Sequence, residues 1–334
     1  MFDGQLIGVD VGGTKVAVAT LEDARLSDSL IRPTEVSSTA GLIDEIVAAV
    51  GRVRNARTAA VGVGVPSVVE FATGRVRSSA HVLLADLDLG SLLEGRLGVP
   101  VFIDNDATVA ALGEAFDDVG RPIVQNLVMF TVGTGIGGGL VLGGHVYRGT
   151  TGGAAELGHT LVGVDFAEGV PRRAEFPQPG SLEALAAGRV LDGLAAKIAA
   201  ERPSSALGKL AASGKSVDGH DAVEAGKAGD PDAVEALRML GERLGIGIAN
   251  AINTFDPDVV AIGGGVSAAG DLLLGPAQEV ARRFALPGVG TQTEIRLARH
   301  GRQAGVRGAA LLAGLEQSQA EEVLSRPRRE IEQA

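Results

Sequence analysis

The sequence predicts an α/β chain in two lobes built on a duplicated unit, and three observations predict it. At 334 residues the chain exceeds one ordinary core, so two domains or one bilobal one is expected. An apolar run, a glycine turn with a threonine and a second apolar run occur early, in "LIGVDVGGTKVAVATLED", and again in "NLVMFTVGTGIGGGLVLGGHVYRG". Around both, short apolar runs alternate with amphipathic helical stretches. The repeat implies two glycine turns facing each other across a cleft.

The elements follow in order. After the opening hairpin, "GLIDEIVAAVGRVR" places Leu42, Ile43, Ile46, Val47 and Val50 on one helical face. "TAAVGVGVPS" reads as a short buried strand. "VPVFIDNDATVAALGEAF" reads as a strand over Val99–Ile103 and a helix from about Ala107, which puts Asp104, Asn105 and Asp106 at a strand end and helix start. The second hairpin follows. Residues Val164 to Pro179 carry charge and proline without periodicity and read as a loop. "DAVEALRMLGERLGIGIANAINTF" spaces Val234, Leu237, Leu240, Leu244, Ile248 and Ile252 three or four apart, as a long core helix does. "PDVVAIGGGVSAAGDLLLGPAQEVARRF" is strand, glycine turn and helix. From Glu316 onward the chain is polar enough for a frayed helix or tail. The expected organisation is an N-terminal lobe over 1–118, completed by a helix near 304–316, a C-terminal lobe over 119–303 and a tail over 317–334.

Composition excludes several functions. Thirty Lys and Arg stand against 41 Asp and Glu, a formal charge of −11 that disfavours nucleic acid and anionic membranes as partners. With no cysteine, disulfides, thiol nucleophiles and thiolate metal sites are all removed, and a reducing compartment fits. The start of the chain carries Asp3 and no basic run, and no stretch reaches a membrane span of roughly 18 apolar residues. A cytoplasmic location is expected.

The glycine turns invite two readings that their context rejects. Gly8, Gly13, Thr14 and Lys15 nearly spell a P-loop with its last two residues exchanged, but the following "VAVATLE" is strand-like where a P-loop needs a helix. Gly133, Gly135 and Gly138 satisfy the G-x-G-x-x-G of dinucleotide folds, yet "GLVLGGHVYRG" is again a strand. A glycine hairpin still binds phosphate by another route. Successive backbone N–H groups form an anion-binding concavity to which threonine adds a hydroxyl. The alternative, a plain tight turn, is weakened by the occurrence of two matching hairpins, one preceded by Asp10.

"DVGGTK", "DNDATVAALGE", "GTGIGGGLVLGGHVYRG", "GAAELGH" and "IGGGVS", in this order over nearly the whole chain, resemble the ROK family of sugar kinases and sugar-responsive repressors. The resemblance implies a duplicated actin/hexokinase-like (ASKHA) fold with ATP and a sugar in the interdomain cleft. It implies that Asp106 is the general base, the alternative being a helix N-cap. It places Asn105, Gly138, Glu156, His159 and Glu183 on the sugar, Asn105 offering both donor and acceptor. Gly12, Gly13, Thr14, Lys15, Gly133, Thr134, Gly135 and Gly263, Gly264, Gly265 fall to ATP and its phosphates. Lys15 is equally readable as a solvated lysine. Asp10 would face magnesium or its waters, or else hydrogen-bond the turn. A homodimer is the implied assembly.

Three departures stand out. The C-x-C-G-x-x-G-C-L-E segment with which relatives bind a structural zinc has lost every cysteine; His81, His145, His220 and His300 are scattered without ligand spacing, so no zinc is expected and His159 must be oriented by hydrogen bonds. Ser67 follows Pro66 where glycine is usual. "SSAHVLLADLD" stands where P-N-L is common. The leading expectation is an ATP-dependent, magnesium-requiring kinase for a hexose hydroxyl, glucose by default. Another sugar or cyclitol (mannose, fructose, an N-acetylhexosamine, a C7-cyclitol) is the alternative within that class, and a non-catalytic sugar sensor is the one outside it. The first strand begins near Gln5 and the charge is acidic, which leaves little room for operator binding.

Overall fold

The computed structural model describes residues 2–325 apart from 36, 80, 81, 166, 168, 171 and 173–175, so His81 and part of the "SSAHVLLADLD" segment lie outside the described residues. The chain forms two compact units. Of the described residues, the first takes in those up to Ile123, Gly144–Ala154 and those from Gln303; the second takes in Val124–Gly143 and Ala155–Arg302. The first therefore includes 119–123 and 144–154, beyond the expected limit at 118.

The units repeat one topology. In the first, strand Gln5–Val11 pairs antiparallel with Lys15–Glu22 and parallel with Thr58–Val65, which pairs parallel with Val101–Asn105. In the second, Leu127–Val132 pairs antiparallel with Ile136–Leu142 and parallel with Val259–Gly263, which pairs parallel with Glu294–Leu297. Each hairpin turns through three residues, Gly12–Thr14 and Gly133–Gly135. Strand residues buried on both faces, such as Leu6, Ile7 and Val9 or Leu127, Val128 and Met129, explain why these segments read as continuous apolar runs.

Helices cover the sheets. Thr39–Val53 buries Leu42, Ile43, Ile46, Ala49 and Val50 in the first core, with Ser38 capping its start. Pro231–Phe255 runs for 25 residues through the second core, entered by proline and capped by Asp230. The helix Ala304–Ser325 continues past residue 316, so the expected tail is helical at least to 325; residues 326–334 lie outside the described residues. This helix crosses the first sheet at glycines. A Cβ on Gly8 would lie 2.0 Å from the Val306 carbonyl oxygen, and one on Gly62 would lie 1.9 Å from that of Ala309. Gly8, the first glycine of the apparent P-loop, is thus a mid-strand position shaped by helix packing.

Candidate active site

Strand Val101–Asn105 ends where helix Asp106–Ala115 begins, and the junction assigns separate tasks to three residues. Asn105 is the N-cap: its Oδ1 accepts from Ala107 N at 2.9 Å and Thr108 N at 3.1 Å, while its Nδ2 donates to the Ser67 carbonyl at 3.3 Å. Both lone pairs of the amide oxygen are committed, so Asn105 keeps one N–H for a ligand and not the expected donor and acceptor. Capping by Asn105 means that capping does not explain Asp106. Asp106 opens the helix, its Oδ1 accepting from Ala107 N at 2.8 Å. Asp104 is buried. Its carboxylate accepts from Asn105 N at 2.9 Å and from Arg148 Nε at 2.7 Å, and the Arg148 guanidinium lies 3.5 Å from the centre of the Phe71 ring.

Asp10 is the next-to-last residue of the first strand, with its carboxylate against the first turn of the Ala304–Ser325 helix; a Cβ on Gly305 would lie 2.6 Å from Oδ2. Burial, and after it the charge of Asp106, pushes Asp10 up to about 7 against the pull of Lys15. Lys15 opens the second strand of the hairpin and acts on Asp10 by charge. The turn between them is closed by its own backbone, Gly12 N donating to Lys15 O at 2.8 Å, and is fastened by the Thr34 hydroxyl on Gly12 O at 2.7 Å.

In the second unit, Gly133 N donates to Gly135 O at 2.9 Å. A Cβ on Gly133 or Gly265 would meet no protein atom within 4 Å, so packing within the protein does not require glycine there. Gly264, at φ +84°, backs onto Val132 and brings the Gly263–Gly265 turn to the end of the same strand. Gly138 is buried where a Cβ would lie 2.1 Å from the Ala155 carbonyl oxygen, and Gly158 would clash likewise with Ile136 O at 2.2 Å. Those approaches account for both glycines: they seat the turn carrying Glu156 and His159 on the strand.

Glu156, His159 and Glu183 come together. Leu182 N donates to Thr160 O at 2.9 Å, stitching the helix of Glu183 to the turn of His159. Burial raises Glu156 above the usual carboxylate range; His159 opposes the rise and Glu183 adds to it. His159 Nε2 stands 3.7 Å from Glu156 Oε2, longer than a hydrogen bond, and its ring meets Phe176 edge to face at 5.2 Å. In place of the expected orientation by hydrogen bonds, the ring is met by Phe176 and, beyond hydrogen-bond reach, by Glu156. Ser181, which precedes "LE" where the zinc motif has its last cysteine, is fully buried and caps the helix of Glu183 through Ala184 N at 3.2 Å. Among the described residues no group of three or more His, Asp or Glu is placed to hold a metal ion, and no helix is long and apolar enough to cross a membrane. Sequence reasoning missed Arg148 and Arg189, the latter 2.5 Å from Glu183 through Nη2; each is a lone arginine in its segment, and only the fold supplies its partner.

A duplicated sheet, each half headed by a glycine hairpin and one of them beside paired carboxylates, defines an actin/hexokinase-like fold equipped to hold phosphate. The chain matches the ROK family over residues 6–316 and belongs to it. It is 33% identical over 320 residues to a glucokinase of Halalkalibacterium halodurans, covering 93% of this chain and 96% of that one. It is 32% identical over 318 residues to an N-acetyl-D-glucosamine kinase of Aliivibrio fischeri, covering 91% and 98%. The crystal structure of a ROK family glucokinase from Streptomyces griseus in complex with glucose and AMPPNP superimposes with a TM-score of 0.80 at 33% identity, covering 93% of this chain and 99% of that one.

Proposed function

We propose that this ATP-dependent sugar kinase phosphorylates a hydroxyl of glucose, with Asp106 as general base. The observation that supports the role of Asp106 is its position: it opens the helix at the strand end that Asn105 caps, close enough to Asp10 for its charge to act there. Asp106 takes the proton of the attacking hydroxyl as that oxygen forms its bond to the γ-phosphorus and the bond to the β-phosphate oxygen breaks, leaving ADP. Phosphoryl transfer asks the protein mainly for alignment and charge stabilisation. Gly12 and Gly133 spend their own N–H groups closing their turns; the donors suited to phosphate are those of Gly13 and Thr14 in the first unit and of Thr134, Gly135 and the Gly263–Gly265 turn in the second. Glu156, His159 and Glu183 match sugar hydroxyls, each of which both donates and accepts.

The residues also suit magnesium. Asp10 is a carboxylate whose charge is opposed by burial and by Asp106, the kind of oxygen donor a hard cation stabilises. Asp10 would hold the ion, directly or through water. When bound, magnesium neutralises charge on the transferring phosphoryl group.

Asp106→Asn tests the base: turnover should fall by at least roughly a hundredfold with the sugar dissociation constant unchanged. Near-normal turnover removes Asp106 from the role. A screen of sugars and cyclitols with ATP tests the acceptor. Faster turnover of an N-acetylhexosamine, mannose, fructose or a C7-cyclitol would overturn glucose and leave the kinase standing. The N-acetylhexosamine is the sharpest competitor, given the relative from Aliivibrio fischeri at similar identity. We carry a cytoplasmic homodimer forward as part of this reading, to be checked by sedimentation and fractionation.

A further inference from the structure

Two bonds tie the second glycine turn to a single short segment of chain. At the entry, Gly188 N donates to Gly133 O at 2.7 Å. At the exit, Ile136 N donates to Glu183 Oε2 at 2.8 Å. Both fits are close: a Cβ on Gly188 would lie 2.5 Å from Gly133 O, and one on Gly135 would lie 2.4 Å from Glu183 Oε2. The segment 183–188 thus grips the turn at both ends. The entry bond is backbone to backbone and holds whatever the side chains do. The exit bond depends on where the Glu183 carboxylate points.

Arg189 decides that. Its Nη2 donates to Glu183 Oε1 at 2.5 Å, with the Glu183 side chain 12% exposed and that of Arg189 36%. A carboxylate has about four acceptor sites, of which Ile136 and Arg189 fill two, leaving two for hydroxyl donors. Ile136 is 3% exposed, so water is a poor substitute acceptor for its N–H if the carboxylate turns away.

We propose that Arg189 is a positioning residue: by orienting Glu183 it makes the sugar-binding carboxylate and the phosphate-binding turn one mechanical unit, so that one side chain tunes affinity for both substrates. This rests on the assignment of Glu183 to the sugar. A guanidinium is suited to the task because its planar fork fixes direction, which the point charge of a lysine does not.

The test is Arg189→Met, with Arg189→Lys beside it, each checked for folding by circular dichroism. Two readouts are taken. The first is the dissociation constant of AMPPNP without sugar, by calorimetry; the second is KM for glucose against kcat. In Arg189→Met the AMPPNP constant should rise about threefold to tenfold and the sugar KM about tenfold, with kcat at saturation within about threefold of wild type. Arg189→Lys should recover part of both. Unchanged constants would overturn the proposal and reduce the contact to an ordinary half-exposed ion pair. A rise in sugar KM with unchanged AMPPNP affinity would also overturn it, because the turn would then be independent of Arg189. The AMPPNP measurement needs no sugar, so it stands even if glucose proves to be the wrong acceptor.

Discussion

Asp10→Asn keeps the size of the side chain at the end of the first strand and removes its charge. Asp10 titrates near 7 in the folded protein against an ordinary value of 3.8, chiefly through burial and then through Asp106. A carboxyl whose folded value is raised contributes stability below its ordinary value, and that stability is lost as pH rises through the folded one. For a single site with these two values, the loss between pH 5 and pH 8 is roughly 2–3 kcal/mol. For a unit of this size each kcal/mol moves the midpoint by roughly 2–4 °C, so the loss is worth about 4–12 °C. The assay is thermal unfolding in chelator across pH 5–8. Wild type should lose this increment relative to Asp10→Asn, which therefore gains on it as pH rises. Added magnesium should close the gap at pH 8 by taking the place of the proton. A gap that stays constant across the range would refute the reasoning, since Asp10 would then ionise without penalty.

Two further outcomes follow from packing and from charge. Gly62→Ala forces a Cβ to within 1.9 Å of a helix carbonyl, and should cost about 1–3 kcal/mol or more, read as a lower unfolding midpoint with the second unit unaffected. Arg148→Met leaves Asp104, whose side chain is 3% exposed, as an uncompensated buried charge; a loss of about 3–5 kcal/mol is expected. Asp104→Asn on the same background should recover part of that loss, and additive single losses in chemical unfolding would contradict the pairing.

The duplicated sheet was legible because its strands are buried on both faces, so apolar runs such as Leu6–Val9 and Leu127–Met129 stand out without knowledge of their neighbours. Asp106 is a candidate through its motif, but the motif could not show that Asn105 does the capping, because that depends on where Ala107 and Thr108 direct their N–H groups. Gly8 and Gly138 looked like parts of phosphate patterns. Their real neighbours, Val306 and Ala155, lie 298 and 17 residues further on, and no local pattern records such approaches. The arginines were the least legible, since Arg148 and Arg189 acquire meaning only from carboxylates that the fold brings to them.

The helix that presses on Gly8 and Gly62 leaves the ribosome after all the described strands of both units. Gly8 and Ala304 are separated by almost the entire chain, and at roughly 5–20 residues per second their syntheses lie about 15–60 s apart. Until then that face is covered by helix Asp106–Ala115 at Gly64 but lacks the helix that fits against Gly8 and Gly62. The second unit, complete by Arg302, already has all its elements. Vectorial synthesis therefore makes the first unit wait on the second: its sheet receives the helix that fits its glycines only after the second unit has been made, and a nascent chain stalled short of residue 304 leaves Gly8 and Gly62 uncovered.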